Sequence, residues 1–335
     1  MSTSQIEPRI SPPRYIASLG SGFNAVASHV YLVLFPIAID LFLWFGPLVR
    51  VKDLFAPAFE QSLSSMAGSS TPETIELVRQ SQVLWTEILA HFNLFSVLRT
   101  FPIGIPSLMA FQGAVTNPLG SLNTMDIENG SMMLLFAVAA SLAGIAIGAL
   151  YFALVARAAL TKKETLTSVT LAGLIVRSLQ LSLMILAAVV LIVVPLICGA
   201  SLMLMLLPQF GSIPLIAIGM LLIWLVLPLV FTPHGIFSSG MNPVESLRFS
   251  FKLVRKFLPG TSTFMLLAIL ISYGLNFLWT TPEPEQWLLG VGIIGHAFIT
   301  TGVLAATFVY YERGVEWMNE IIRLRETQQK PPAVS

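Results

Sequence analysis

Charge is what this sequence has least of. Only 10% of its 335 residues are Asp, Glu, Lys or Arg, against about a quarter in an average soluble chain. A soluble globule of this length cannot clothe its surface with so few charges. A disordered chain needs the opposite balance, low hydrophobicity and high charge, and here 55% of residues are hydrophobic. The net charge of +1 lacks the bulk basicity of a nucleic-acid binder. One cysteine, Cys198, excludes an intrachain disulfide framework, and its apolar run reads it as a small buried hydrophobe. There is no HExxH, P-loop, nucleophile elbow or CxxC pair, so no catalytic residue, cofactor or metal ligand is assigned. The polar N-terminus does not read as a cleavable leader: the first apolar run is too long for an h-region and lacks a small-residue exit.

Long apolar runs are what the sequence does have. Six stretches, 27–49, 131–156, 178–207, 212–232, 261–280 and 288–311, can each cross about 30 Å of hydrocarbon at about 1.5 Å per residue. The expected fold is all-α: a polytopic transmembrane bundle, about six spans in three hairpins, forming a single membrane domain over 1–335. Residues 1–26 are a cytoplasmic tail with an interfacial helix, 50–130 a long extracytoplasmic loop, and 312–335 a cytoplasmic tail. The third run contains Pro195, which predicts a kink or tilt. Pro208 to Ser212 reads as a tight antiparallel turn.

Orientation follows from the cations. With six spans, fourteen of the eighteen Lys and Arg residues fall on the side of both termini; Arg50, Lys52, Arg79 and Arg99 fall on the other. The expected location is the cell (plasma or inner) membrane, with both termini cytoplasmic.

Amphipathic segments precede the odd-numbered spans. In 242–258, Asn242 is a candidate N-cap, Pro243 suits the first turn and Glu245 completes a capping-box pattern. Val244, Leu247, Phe251, Val254 and Leu258 recur at helical spacing, flanked by Phe249, Leu253 and Phe257. Arg248, Lys252, Arg255 and Lys256 form a basic stripe. It either attracts anionic lipid or a partner or anchors topology. Leu171, Leu174, Ile175 and Leu179 hold the equivalent place before the third span, with Val176-Arg177 echoing Val254-Arg255. Ile16, Leu19, Phe23 and Val26 do so before the first.

The stretch Asn242-Pro-Val-Glu-Ser-Leu-Arg-Phe-Ser-Phe-Lys-Leu-Val-Arg-Lys-Phe-Leu258, followed by a span, resembles the helix before a late span in a bacterial six-span group. That group includes the membrane domain associated with glycerophosphodiester phosphodiesterases. The resemblance covers about 150–311 and implies a membrane domain; it transfers no catalytic residue.

The long loop holds an amphipathic segment over 53–66, a small polar break at 67–70, and a helix beginning with Thr71 as N-cap and Pro72 in its first turn. The apolar stretch 101–111, broken by Pro102, Gly104 and Pro106, is too short to span. It forms either a re-entrant segment or a surface lid. Asp40, central in the first span, should face protein. By depth it could meet His296, with Asn276, Thr300 and Arg99 as further members of an intramembrane polar cluster. That cluster is either a proton- or ligand-responsive site or an interhelical hydrogen bond. Ala140, Gly144 and Gly148 repeat every fourth residue and permit close approach, within the chain or between chains. Gly290-Val-Gly292-Ile-Ile-Gly295 matches a dinucleotide fingerprint in letters but lies in a span with no preceding strand. Glu87 and His91 are two ligands short of a metal site. His29 and His234 read as interfacial, and Asn129-Gly-Ser131 as a sequon only in a glycosylating host.

These signals describe a membrane component, expected to be non-enzymatic, that binds lipid or a protein partner or self-associates. The alternative is a transporter or permease built on Asp40 and His296.

Overall fold

The computed structural model describes residues 11–67, 72–160, 169–206 and 213–329. Helix dominates, in the order α1 Tyr15–Ser28, α2 Leu34–Phe45, α3 Lys52–Ala67, α4 Pro72–His91, α5 Gly130–Ala159, α6 Leu171–Ala188, α7 Val194–Leu206, α8 Ile213–Leu229, α9 Thr232–Ser239, α10 Pro243–Lys256, α11 Leu258–Trp279 and α12 Leu289–Gln329. Among the described residues are four short strands: β1 Leu48–Arg50 leading into the long loop, and β2 Thr116–Asn117, β3 Gly120–Ser121 and β4 Thr124–Asp126 within it. Thr71, the 208–212 turn and the 161–168 connection lie outside the described residues.

Among the described residues, five helices are long and apolar enough to cross a membrane, and a sixth span results if the bent pair of α1 with 30–45 counts as one. Leu191, Met220 and Phe277 project from these helices largely exposed. So much contiguous apolar surface is intolerable in water and ordinary in lipid.

The sequence-based boundaries shift at three places. The first span is not one rod over 27–49: α1 ends at Ser28, and a 3-10 turn, Val30–Val33, precedes α2. The third runs unbroken from Leu171 to Met203, so 171–177 is the start of the span and not a separate interfacial helix. The π turn Val189–Val193 just before Pro195 opens the ladder where the proline has no N–H to give. The last span continues as α12 to Gln329, through most of the expected tail. Cys198 is exposed and not buried, since α7 shows that side to the outside.

The chain forms two compact units. Unit 1 comprises residues 1–30, 152–271 and 301–335. Its core gathers Phe231, Leu253, Val254, Phe264, Ala306, Tyr310, Tyr311 and Met318, with the Phe264 and Tyr310 rings stacked 4.1 Å apart. Unit 2 comprises 31–151 and 272–300. Leu43, Trp44, Leu108, Met109, Leu289 and Ile293 form one of its cores, and Val49, Val51, Leu94 and Ile127 another.

In unit 2, β1 pairs in parallel with β4, setting Arg50 opposite Asp126, and their side chains form an ion pair of 2.6 Å. Strands of two or three residues are too short to show alternation, which is why the sequence reading omits them. Arg50 holds the Asp126 carboxyl below the usual carboxylate range by hydrogen bonding. A depressed carboxylate pKa stabilises the folded form above the unfolded pKa and loses that contribution as pH falls through the folded one. Protection of the Ile127 amide, which donates to Arg50 O at 2.9 Å, should therefore fall below about pH 4. Hydrogen exchange, corrected for its intrinsic rate, reads this; Asp126→Asn should remove the pH dependence.

Candidate functional site

Unit 2 contains a loop that folds back along a spanning helix. It leaves α4, and Asn93 sets its first turn by accepting from the Phe95 amide at 3.1 Å. Leu98 and Thr100 then lie on Gly144 of α5, and Ile103 and Gly104 on Gly148. Gly148 is 18 residues into α5, about 27 Å from its start. The chain then returns: Ser107 to Met109 meet Asp40, and Asn117 Nδ2 donates to Trp44 O at 3.2 Å, one turn away on α2. Trp44 Nε1 in turn donates to Pro284 O at 2.8 Å.

Asp40 is the anchor of this loop. It is fully buried, and three donors from the returning limb reach it: Ser107 Oγ at 2.5 Å, the Leu108 amide at 3.1 Å and the Met109 amide at 3.0 Å. Ser107 Oγ also accepts from the Ala110 amide at 3.1 Å. Irregular backbone at membrane depth is tolerated where protein satisfies it, and a carboxylate that accepts two amides does this directly. Ser107 and these amides were missed in the sequence. The available signal was a lone serine between prolines and apolar residues.

The other members of the expected cluster sit nearby in the same unit. His296 Nδ1 meets Asn276 Oδ1 at 2.8 Å, joining α12 to α11. Thr300 Oγ1 donates to the His296 carbonyl at 2.7 Å, so it serves the backbone and not the ring. The Arg99 guanidinium hydrogen-bonds the Tyr273 hydroxyl, and its field reaches both Asp40 and His296. Asp40 itself bonds the loop. Tyr273 carries no signal in the sequence, since one tyrosine in an apolar run names no partner.

The small-residue ridge is occupied. A Cβ on Gly144 would lie 2.3 Å from Leu98 O, and one on Gly148 3.0 Å from Gly104 Cα. Ala140 is buried too. The ridge takes the loop's backbone, not a second helix or chain. Gly292 and Gly295 lie against Trp279, so the fingerprint letters are packing. Asn129 accepts from the Ser131 amide at 2.9 Å as the cap of α5. His91 Nδ1 meets the Glu87 carbonyl at 2.9 Å. Among the described residues no group of three acidic, Cys or His side chains is placed to hold a metal ion.

In unit 1, α10 is the second candidate. Asn242 Oδ1 accepts from the Glu245 amide at 2.8 Å and Pro243 opens the helix. Of the expected apolar positions it buries Leu253 and Val254, and it buries two serines with them. Ser246 donates to Thr232 O at 2.6 Å, and Ser250 donates to Pro228 O; Leu253 and Val254 are buried beside them. The serines satisfy carbonyls where α8 gives way to α9, so polar residues outrank Val244, Phe251 and Leu258, which stay exposed. Arg248, Lys252, Arg255 and Lys256 are exposed as well, and among the described residues no carboxylate pairs with them. Arg177 does not echo Arg255: it donates to Gly240 O, the left-handed C-cap of α9, where a cation suits the helix dipole. His234, read from the sequence as interfacial, packs against protein. It is buried in α9, with Nε2 2.7 Å from Thr307 Oγ1.

Comparison with family models, curated proteins and solved structures finds no match to this chain. The class rests on the fold itself: an all-α, membrane-spanning bundle with exposed apolar helices. The chain is an integral membrane protein.

Proposed function

We propose that the protein is a non-enzymatic membrane component that binds anionic lipid through α10. One observation carries this reading. The helix buries a hydroxyl-lined face and exposes Arg248, Lys252, Arg255 and Lys256 beside Val244, Phe251 and Leu258. Cations next to exposed apolar side chains are what a helix at the lipid–water boundary presents. Each cation near an anionic surface contributes roughly 1 kcal/mol. The distribution of Lys and Arg supports a plasma- or inner-membrane location with α10 and both termini on the cytoplasmic side. The likeness of 242–258 to the membrane domain of glycerophosphodiester phosphodiesterases belongs to the same proposal, as kinship of a membrane domain alone.

Charge reversal at Arg248, Lys252 and Lys256 together tests it. The full-length variant, taken into mixed phosphatidylglycerol and phosphatidylcholine micelles, should lose most of its excess phosphatidylglycerol in native mass spectrometry. Retention equal to the parent's would end the reading. A transporter or permease is the second reading, because His296 Nε2 is buried with no hydrogen-bond partner among the described residues. It requires a pH-dependent flux that His296→Ala abolishes at unchanged protein abundance.

A further inference from the structure

Beside α10 lies a cavity of about 190 Å³. Ile223 and Leu227 of α8 form one wall, Phe251 and Val254 of α10 the other, and Arg255 and Ser262 supply its polar groups. All belong to unit 1. Ile223 and Phe251 are exposed, so the cavity opens on the surface that lipid covers. A dry apolar cavity of about 150 Å³ already accepts a six-carbon ring, so this one holds a length of one hydrocarbon chain and not a whole lipid.

Its setting indicates which molecule supplies that chain. The apolar walls lead to Arg255, and Arg255 continues the stripe of Arg248, Lys252 and Lys256. A neutral lipid would satisfy the walls and leave the cationic edge unanswered. An amphiphile with one chain in the cavity and a phosphate over Arg255 answers both. We infer that the groove between α8, α10 and the start of α11 binds one anionic phospholipid of the surrounding bilayer, an acyl chain between Ile223 and Phe251 and its phosphate on Arg255.

This rests on the lipid-binding reading of α10 and adds a defined site to it. The full chain is exchanged into micelles of equal phosphatidylglycerol and phosphatidylcholine, and retained lipids are counted by native mass spectrometry. The expected parent result is one phosphatidylglycerol that survives conditions stripping phosphatidylcholine of the same chain length. Arg255→Gln should reduce its retention about fivefold, the equivalent of one cation at an anionic surface. Ile223→Trp, which fills the cavity from an exposed position, should abolish tight retention at an unchanged unfolding midpoint. If that midpoint moves, Phe251→Ala, which removes a wall, decides instead. Arg248→Gln with Lys252→Gln should keep the one lipid while losing the loosely held excess.

The outcomes separate the two readings. If the groove variants hold phosphatidylglycerol as the parent does, the groove is overturned and the stripe stands. If the parent shows no preference for phosphatidylglycerol, both fall. If glycerol phosphate, which has no chains, displaces the lipid, the site reads the headgroup alone and the acyl-chain assignment is wrong.

Discussion

Replacing Asp40 by alanine should cost unit 2 a large part of its stability. The carboxylate accepts from Ser107 Oγ and from the Leu108 and Met109 amides, and it is fully buried. Alanine leaves all three donors without a partner and without water. Each orphaned buried group costs about 1–3 kcal/mol, so a loss of about 3 kcal/mol or more is expected, a large part of the 5–15 kcal/mol that holds most domains. Asparagine is the graded control. Its Oδ1 can still accept from Ser107 and Met109, while its Nδ2 would face the Leu108 amide, donor against donor, at a cost of about 1–3 kcal/mol. The order parent, Asn, Ala should appear in the unfolding midpoint in detergent and in the rate of proteolysis within 94–111. An alanine variant as stable as the parent would show that the loop is held by something other than this carboxylate.

Gly22→Val should produce the corresponding failure in unit 1. A Cβ on Gly22 would lie 2.3 Å from Ala306 N, 2.5 Å from its Cα and 2.6 Å from its Cβ. Backbone cannot rotate aside, so α1 must leave α12. With it go the bonds from Arg313 to Ser18 and Ser21, at 3.1 and 2.9 Å. Overpacking costs about 1–3 kcal/mol in ordinary cores, and displacement of a whole helix belongs at the upper end. Two controls isolate the cause. Gly20→Ala meets nothing within 4 Å and should be neutral or stabilising by up to about 1 kcal/mol through helix propensity. Ala306→Gly should fail to rescue Gly22→Val, because the obstructing Ala306 N and Cα remain. A rescue would mean that the close approach is between side chains.

The long spans were legible because length and hydrophobicity are summed over about twenty residues and survive local irregularity. The cap at Asn242 was legible because capping is local chemistry. Asp40 was recognisable as a residue that must face protein, but its partners were not. They lie near residue 108, and nothing in a single sequence says which distant loop meets which carboxylate. Depth counted along the spans brought Asp40 and His296 to the same level, yet level is one coordinate of three. The serines on the buried face of α10 were missed for a different reason. Periodicity ranks side chains by apolarity, whereas Ser246 and Ser250 are inside because carbonyls at the α8–α9 join need donors. The same blindness applies to Gly144 and Gly148: the spacing announced a close approach but not that a loop would make it.

The order in which the fold-back loop acquires its supports has a consequence for synthesis. Asp40 leaves the ribosome before residues 98–109, but Gly144 and Gly148 leave it some forty residues later. Until then one limb of the loop has no groove to lie in, and its peptide groups could enter hydrocarbon only unpaired. The segment can therefore complete its packing only after α5 has been made. Its packing is post-translational with respect to its own residues.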